Sequence, residues 1–311
     1  MQEILRYTSE YKTRWDEFIN SARNGTFMFL RNYMDYHADR FNDCSFLILN
    51  QGKVEAVLPG NCRDNCFFSH EGLTFGGLVL SDKITANKTV DIFNLLLEEL
   101  KKIEISEVVY KPLPLIYHRI PAQEDIYALF LQKATKSGCN ISSVIYQNNK
   151  LRFSELRRRC IQKSLRENIQ VCESNDFSPF WKILVSNLAQ KFNVKPVHTL
   201  PEIELLKSRF PENIKLYTAH KEGVMIGGVV LYIMNQVVKV QYISADEKGK
   251  KAGALDLLFY KLIHEIYPDI PIFDFGISTE KMGNYLNKNL IFQKEGFGGR
   301  GVVYEIYDFK I

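Results

Sequence analysis

A segment rich in lysine and glycine is the first candidate for chemistry. It reads Glu247-Lys248-Gly249-Lys250-Lys251-Ala252-Gly253-Ala254 and follows the alternating, β-branched stretch 237–243, which predicts a strand. Glycines expose backbone N–H groups, lysines add charge, and a following helix adds the positive end of its dipole. The segment therefore predicts either a turn that binds donor phosphates or an ordinary helix N-terminus with surface lysines. The predicted donor-binding residues are Lys248, Gly249, Lys250, Lys251, Gly253 and Ala254.

A carboxylate interrupts the next predicted strand, Pro271-Ile272-Phe273-Asp274-Phe275-Gly276. A buried carboxylate must be paired or desolvated, so Asp274 is either a structural hydrogen-bond partner or a catalytic base. Tyr242 and Glu280 are further candidates for a proton path. No serine or cysteine stands in a nucleophile setting such as Gly-x-Ser-x-Gly. In an acyl transfer by this chain, we therefore expect the acceptor itself to attack the donor.

Three stretches rich in aromatic, histidine and glycine residues predict an acceptor site or, alternatively, ordinary packing. They are the aromatic segment 27–41, the loop 70–77 with its three glycines, and the proline-rich loop 112–121. A cation near the C-terminus completes the set. The residues predicted to contact the acceptor are Tyr36, His37, Arg40, His70, Glu71, Tyr117, His118 and Arg300.

Length and composition indicate two globular domains. The 311 residues are 46% hydrophobic and 24% charged, with a net charge of +4 that permits a phosphate-bearing partner. We expect a cytoplasmic protein, because no apolar run reaches about eighteen residues and the N-terminus does not read as a signal peptide. The six cysteines form no framework and predict free thiols. Cys62, Cys66 and His70 lack a fourth ligand, so we expect no metal.

The order of predicted helices and strands occurs twice along the chain. Trp15 and Trp181 are separated by the same number of residues as Phe93 and Phe259. We therefore predict an N-terminal α/β domain over residues 1–150 and a C-terminal one over 176–311 that carries the donor site. Residues 151–175 between them predict a basic linker helix, which is either a solvated face or a phosphate clamp.

The words Phe273-Asp274-Phe275-Gly276 and Lys294-Glu295-Gly296-Phe297-Gly298 resemble the C-terminal half of the Fem family of peptidyl transferases. FemAB-like proteins of gut bacteria look still more similar. The resemblance implies an α/β chain of two tandem domains of the GCN5-related acetyltransferase (GNAT) fold, with mixed, mostly antiparallel sheets. In the family pattern Phe-Lys-x-x-Phe, the lysine lies near the reacting carbonyl. Lys294 and Phe297 match this pattern, while Gln293 replaces the first phenylalanine.

The resemblance also implies a function. It is the transfer of an acyl or aminoacyl group to an amine or hydroxyl of a cell-envelope or nucleotide-sugar precursor, in a cleft between the domains. The donor would be acyl-CoA or aminoacyl-tRNA, with no permanently bound cofactor. Lys250-Lys251-Ala252-Gly253-Ala254-Leu255 departs from the acetyl-CoA signature Gln/Arg-x-x-Gly-x-Gly/Ala at its last residue. The alternative is therefore a non-catalytic binding or regulatory protein on a degenerate GNAT scaffold. An RNA-binding module built on the basic helix lacks any known RNA motif.

Overall fold

The computed structural model describes residues 2–311, which group into two compact units. The first unit runs to Ile141 and includes Thr279–Leu286 and Val303–Ile311, whereas the second comprises Ser142–Ser278 and Asn287–Val302. This grouping differs from the predicted contiguous division near residue 150. The last strand of the chain returns to the first unit, where Tyr307 lies opposite Tyr110 in an antiparallel ladder. No helix within residues 2–311 is long and apolar enough to span a membrane.

The strands and helices follow the predicted order, and they are numbered here along the chain. The strands are β1 (Gln2–Arg6), β2 (Phe46–Asn50), β3 (Lys53–Leu58), β4 (Asn61–Arg63), β5 (Cys66–Phe68), β6 (Val79–Leu80), β7 (Glu107–Tyr110), β8 (Thr135–Tyr146), β9 (Gln170–Ser174), β10 (Ile214–Lys221), β11 (Val224–Met234), β12 (Val237–Ala245), β13 (Ile272–Ile277), β14 (Thr279–Glu280), β15 (Tyr285–Leu286) and β16 (Arg300–Lys310). The helices are α1 (Lys12–Ser21), α2 (Arg31–Met34), α3 (Ala86–Lys102), α4 (Glu124–Leu131), α5 (Glu155–Arg166), α6 (Ser178–Phe192), α7 (Leu200–Arg209), α8 (Glu247–Ala252), α9 (Ala254–Lys261) and α10 (Lys288–Gly296).

The first unit packs apolar side chains around its strands and around helix α3. Strands β1, β2, β3 and β6 form one sheet, with antiparallel pairing throughout. Ile92, Phe93, Leu96 and Leu100 lie on one face of α3 and are buried in the core with residues of β2 and β3. Their spacing of three and four residues is that of one helix face, as the sequence predicts.

The second unit is a twisted sheet whose central strands are almost wholly apolar. Its order is β8-β13-β12-β11-β10-β9, and every pairing is antiparallel except that of β12 with β13. Helix α9 packs Leu257, Leu258 and Phe259 into the core on one side of this sheet. The prediction of mixed, mostly antiparallel sheets is therefore confirmed.

Of the two alternatives that the sequence leaves for residues 247–254, the structure has the helix N-terminus. The segment is helix α8, because the Asp246 side chain caps its N-terminus by accepting a hydrogen bond from Gly249 N–H at 2.7 Å. Lys294 lies in α10, which Asn287 caps. The predicted linker range is not independent of the domains. It contains α5 and β9, and β9 is the edge strand of the second unit.

Candidate functional site

The two parallel strands of the second unit separate after three residue pairs. Strand β12 pairs with β13 only at Val237–Lys239 opposite Ile272–Asp274. Two residues beyond this ladder, β12 carries a bulge at Gln241, where its pairing with β11 skips from Val240 to Tyr242. A bulge bends its strand and increases the local twist. The sheet therefore opens at this point, with Lys239 and Asp274 at the last rung.

Asp274 is fully buried at the branch point between these strands. Its Oδ1 accepts hydrogen bonds from Ser142 Oγ and from Gly276 N–H, the latter at 2.8 Å. These donors satisfy the carboxylate oxygen in a site that water does not reach. Phe273 and Phe275 alternate with Asp274 and enter the opposite, apolar core. The strand thus buries one charged side chain on one face and two rings on the other.

Lys294 is buried on α10, and its Nζ donates to Gly276 O and to Ile277 O, both at 2.7 Å. Burial lowers the pKa of Lys294 to about 8, the Asp274 carboxylate opposes this shift, and Lys239 adds to it. The ammonium is therefore held at the end of β13 by two carbonyls. The Fem-like lysine and the strand carboxylate, which sequence reasoning singled out separately, belong to one charged cluster.

Lys239 is the third member of this charged cluster, and sequence reasoning missed it. It is buried, its Nζ donates to Gln241 Oε1 at 2.7 Å, and its ammonium lies 5.9 Å from the centre of the Tyr232 ring. Burial lowers the pKa of Lys239 to about 8, against the effect of Asp274. A lysine inside the run Val237-Val238-Lys239-Val240 was the available signal. Two cations and one carboxylate leave the buried cluster with an excess positive charge.

A cleft of about 730 Å³ lies beside the splayed end of β12. Leu184 and Leu188 of α6, Ile243 of β12 and Leu290 of α10 give it apolar walls. Lys191 and Lys250 supply the cationic side chains of its lining. Gln293, the residue before Lys294, also lines the cleft. A cleft of this size, apolar with a few polar groups, is typical of a small-molecule site.

Tyr242 lies on the same strand and bonds a histidine that sequence reasoning did not identify. Its hydroxyl lies 2.5 Å from Nδ1 of buried His198 and accepts a hydrogen bond from His198 N–H at 3.2 Å. Trp181 packs edge-on against the Tyr242 ring at 5.2 Å. The pair comes from segments far apart in the chain, so no local pattern announces it. A tyrosine hydrogen-bonded to histidine can relay a proton.

The predicted donor residues divide into three groups. Gly249, Gly253 and Ala254 are buried, and a Cβ on Gly249 would lie 2.2 Å from Ile226 O, so this glycine serves packing. Lys248 and Lys251 are exposed and are not among the lining residues of the cleft. Lys250 lines the cleft, with its Nζ 2.5 Å from Glu247 Oε1 and 3.3 Å from Asn187 Oδ1.

In the first unit, three of the predicted acceptor residues form a stack of rings, in which both histidines are buried. The rings of His37 and His70 lie 5.2 Å apart, and Tyr36 stacks on His37 at 4.3 Å. Gly72 permits this stack, because a Cβ there would lie 2.4 Å from His37 Nε2. Glu71 forms an ion pair with Arg63 at 3.0 Å. Their binding role stays a prediction.

The remaining predicted residues are separate from these groups. Tyr117 is buried with its hydroxyl 2.9 Å from that of Tyr304. His118 Nδ1 accepts from Ala122 N–H, so its Nε2 carries the proton and donates to Leu113 O at 2.9 Å. These bonds order the proline-rich loop. Arg40 and Arg300 are exposed, the latter donating to Gly299 O at 2.6 Å, and Glu280 lies in β14. Within residues 2–311, no three His, Cys, Asp or Glu side chains are grouped to hold a metal ion.

We predict that acid destabilises the first unit through His70. Burial lowers the pKa of His70 from 6.5 to about 3, with His37 and Lys111 adding to the effect. Below pH 6.5 the unfolded chain binds a proton that the folded chain does not, so stability is lost as the pH falls towards 3. At about pH 5 the free energy of unfolding is lower than at neutral pH by about 2 kcal/mol.

The measurement is urea denaturation at neutral pH and at about pH 5. It uses a Trp181→Phe background, in which Trp15 is the remaining tryptophan and reports on the first unit. His70→Asn is the matched variant, because asparagine tolerates the φ of +68° at this position and does not titrate. We expect it to lose most of the pH dependence. If the free energy of unfolding of His70→Asn falls with pH as steeply as that of the wild type, the assignment to His70 is contradicted.

Comparison with known proteins supports the fold. Residues 153–285 match the family model described as an acetyltransferase (GNAT) domain. The structure is similar to that of FemX, with a TM-score of 0.68 at 11% identity over 99% of this chain and 97% of that one. It is also similar to L-PGS from Bacillus licheniformis, with a TM-score of 0.62 at 10% identity over 95% and 90% of the two chains.

A tandem GNAT protein from the clavulanic acid biosynthesis pathway superposes with a TM-score of 0.53 at 8% identity, covering 100% of this chain and 98% of that one. Among curated proteins, none matches the sequence. The chain has the FemAB-like tandem GNAT fold that its closing residues led us to expect.

Proposed function

We propose that the second unit transfers an acyl group from an activated donor to an amine or hydroxyl acceptor that attacks directly. The observation that carries this proposal is the opening between β12 and β13, with the charged cluster at its branch point and the cleft beside it. In this arrangement the donor arm lies along Ile243 and Ser244, and its reacting carbonyl lies towards the branch point. The inter-domain position expected for the cleft stays a prediction, since the cleft described here is lined by the second unit.

Lys294 is the proposed electrostatic stabiliser of the reaction. Its ammonium is held in a site of low dielectric, where charge that develops on the carbonyl oxygen is stabilised more strongly than in water. Asp274 keeps Lys294 and Lys239 charged by compensating part of their burial. We assign the acceptor's proton to the Tyr242–His198 pair, because both groups can exchange protons and because Trp181, which packs against Tyr242, belongs to α6, the helix that supplies Leu184 and Leu188 to the cleft.

Acyl-CoA is the donor that we propose first. The apolar walls of the cleft suit an extended arm, while Lys191 and Lys250 suit phosphate groups. The phosphates are not expected at the N-terminus of α8, because the Asp246 carboxylate already occupies the Gly249 N–H and Glu247 adds further negative charge. Aminoacyl-tRNA is the second donor to test, because the nucleotide that carries its aminoacyl ester is also attached to phosphate groups.

The acceptor that we propose is an amine or hydroxyl on a cell-envelope or nucleotide-sugar precursor. This follows the Fem resemblance of Phe273–Gly276 and of Lys294–Gly298, and the overall similarity to FemX and L-PGS. The competing proposal is a binding or regulatory protein that uses the cleft without catalysis. The Asp246 cap favours this alternative, because its carboxylate already accepts the hydrogen bond of Gly249 N–H that a diphosphate would otherwise accept.

Replacement of Lys250 by glutamine should weaken coenzyme A binding about fivefold to tenfold and flatten its dependence on salt, since one phosphate contact is lost. Lys251→Gln is the matched control, because it removes the same charge from an exposed position on the same short helix. Isothermal titration calorimetry at two ionic strengths provides the measurement. Equal affinities for the two variants would argue against this donor site.

A further inference from the structure

Helix α5 presents two different faces, and only one of them is used by the fold. On the inner face, Arg157 forms an ion pair with Asp256 of α9 at 2.8 Å, and its guanidinium lies 5.2 Å from the centre of the Phe297 ring. Ser164 donates to Ala252 O at 2.6 Å. These contacts hold α5 on α8 and α9, and the arginines of the outer face take no part in them.

The outer face forms one side of a groove of about 530 Å³. Its floor is apolar and consists of Phe153, Ile161, Leu165 and the ring of Tyr260. Leu165 is 47% exposed, so this apolar side chain is open to a ligand in the groove. The groove shares no lining residue with the cleft beside β12. It is therefore a separate site, and an inference about it does not rest on the proposed transfer.

The rim of the groove carries a strong positive charge. Arg152, Arg158, Arg159 and Arg166 line it together with a single carboxylate, Glu155. The two oxygens of Glu155 pair with Arg158 and Arg159, the latter at 3.0 Å, so one negative charge faces four positive ones. Arg158 Nε is buried and bonds no acceptor within residues 2–311. The Arg158 side chain as a whole is 39% exposed, so its guanidinium can also meet a ligand in the groove.

An apolar floor under an arginine rim fits a ligand that is both apolar and anionic. The arginine forks bind phosphate oxygens, while the floor accepts hydrocarbon. RNA would match the arginines, but its sugars and phosphates would gain little from Leu165 and Ile161. We propose that this groove binds an anionic glycerophospholipid at a membrane surface. The phosphate lies at Arg158 and Arg166, and the part of an acyl chain nearest the glycerol lies on the apolar floor.

Flotation with vesicles tests this site in the full chain. We expect binding to vesicles of equimolar phosphatidylglycerol and phosphatidylcholine and none to phosphatidylcholine alone. The double variant Arg158→Gln/Arg166→Gln should lower the partition coefficient roughly thirtyfold, because each cation at an anionic surface adds to the affinity. The matched control Lys83→Gln/Lys101→Gln removes the same charge from exposed positions in the first unit and should bind like the wild type.

The apolar floor is tested separately by Leu165→Ser, which keeps every charge and should still weaken binding to anionic vesicles several-fold. An equal loss in the two double variants would mean that net charge alone drives the binding, and would overturn the proposal. So would binding of a single-stranded RNA that the groove variant loses, in a chain that does not bind the vesicles. Melting temperatures equal to that of the wild type confirm that the variants are folded.

Discussion

Lys294→Met is expected to lower kcat about a hundredfold while donor affinity changes little. The ammonium is fixed at the end of β13 by Gly276 O and Ile277 O, next to the buried Asp274, so it cannot move far from the branch point. The charge that it would stabilise develops only in the transition state. A loss of about 3 kcal/mol of such stabilisation is a loss in kcat and not in binding.

Steady-state kinetics with an identified donor and acceptor, together with calorimetric donor binding, separate these two effects. Lys288→Met is the matched control, because it removes an exposed lysine from the first turn of the same helix. We expect wild-type kinetics from it. Wild-type turnover by Lys294→Met, or an acyl-enzyme trapped on Cys62, Cys66 or any serine, would contradict direct transfer assisted by this lysine.

Asp274→Asn is expected to destabilise the second unit by about 3 to 5 kcal/mol. Asparagine has the size of the carboxylate but not its charge, so Lys239 and Lys294 would remain buried without a counter-charge. A second substitution, Lys239→Met, removes one of these cations and should restore a large part of the loss. A double-mutant cycle over both positions gives the coupling between them directly.

Urea denaturation in a Trp15→Phe background measures this effect, since Trp181 then reports on the second unit alone. Asp269→Asn serves as the control, because that carboxylate is exposed in the same unit. If Asp274→Asn unfolds at the same urea concentration as the wild type, or if Lys239→Met adds to the loss, the three residues do not act as one charged cluster.

The sequence predicts the elements of the second unit better than it predicts their contacts. The alternation in β12 and the apolar run of β13 are local patterns, and both strands lie where these patterns place them. The pairing of these strands, which forms the candidate site, is not a local property of the sequence. The three-residue parallel ladder and the bulge at Gln241 depend on side chains from β11 and β13, and this geometry puts Lys239 next to Asp274.

For residues 247–254 the sequence itself favours the helix N-terminus over the turn, because Asp246 just before the segment is a good N-cap. The return of β16 to the first unit could not be read, since its partner β7 lies about two hundred residues earlier and both strands are ordinary alternating sequences. The same holds for the bond between Tyr242 and His198, which come from different elements.

The central claim is that the cleft beside β12 binds the acyl donor, and occupation of the cleft tests it most directly. Leu188 lies on α6 at the wall of the cleft and is half-buried, so Leu188→Trp should fill the cleft without disturbing the core. Leu205→Trp makes the same change on the exposed side of α7. Calorimetric titration with acetyl-CoA, a long-chain acyl-CoA and an aminoacyl-tRNA should show that at least one donor binds the wild type and Leu205→Trp, whereas Leu188→Trp loses it. Binding that survives in Leu188→Trp, or the absence of binding by every donor to the wild type, would contradict the account.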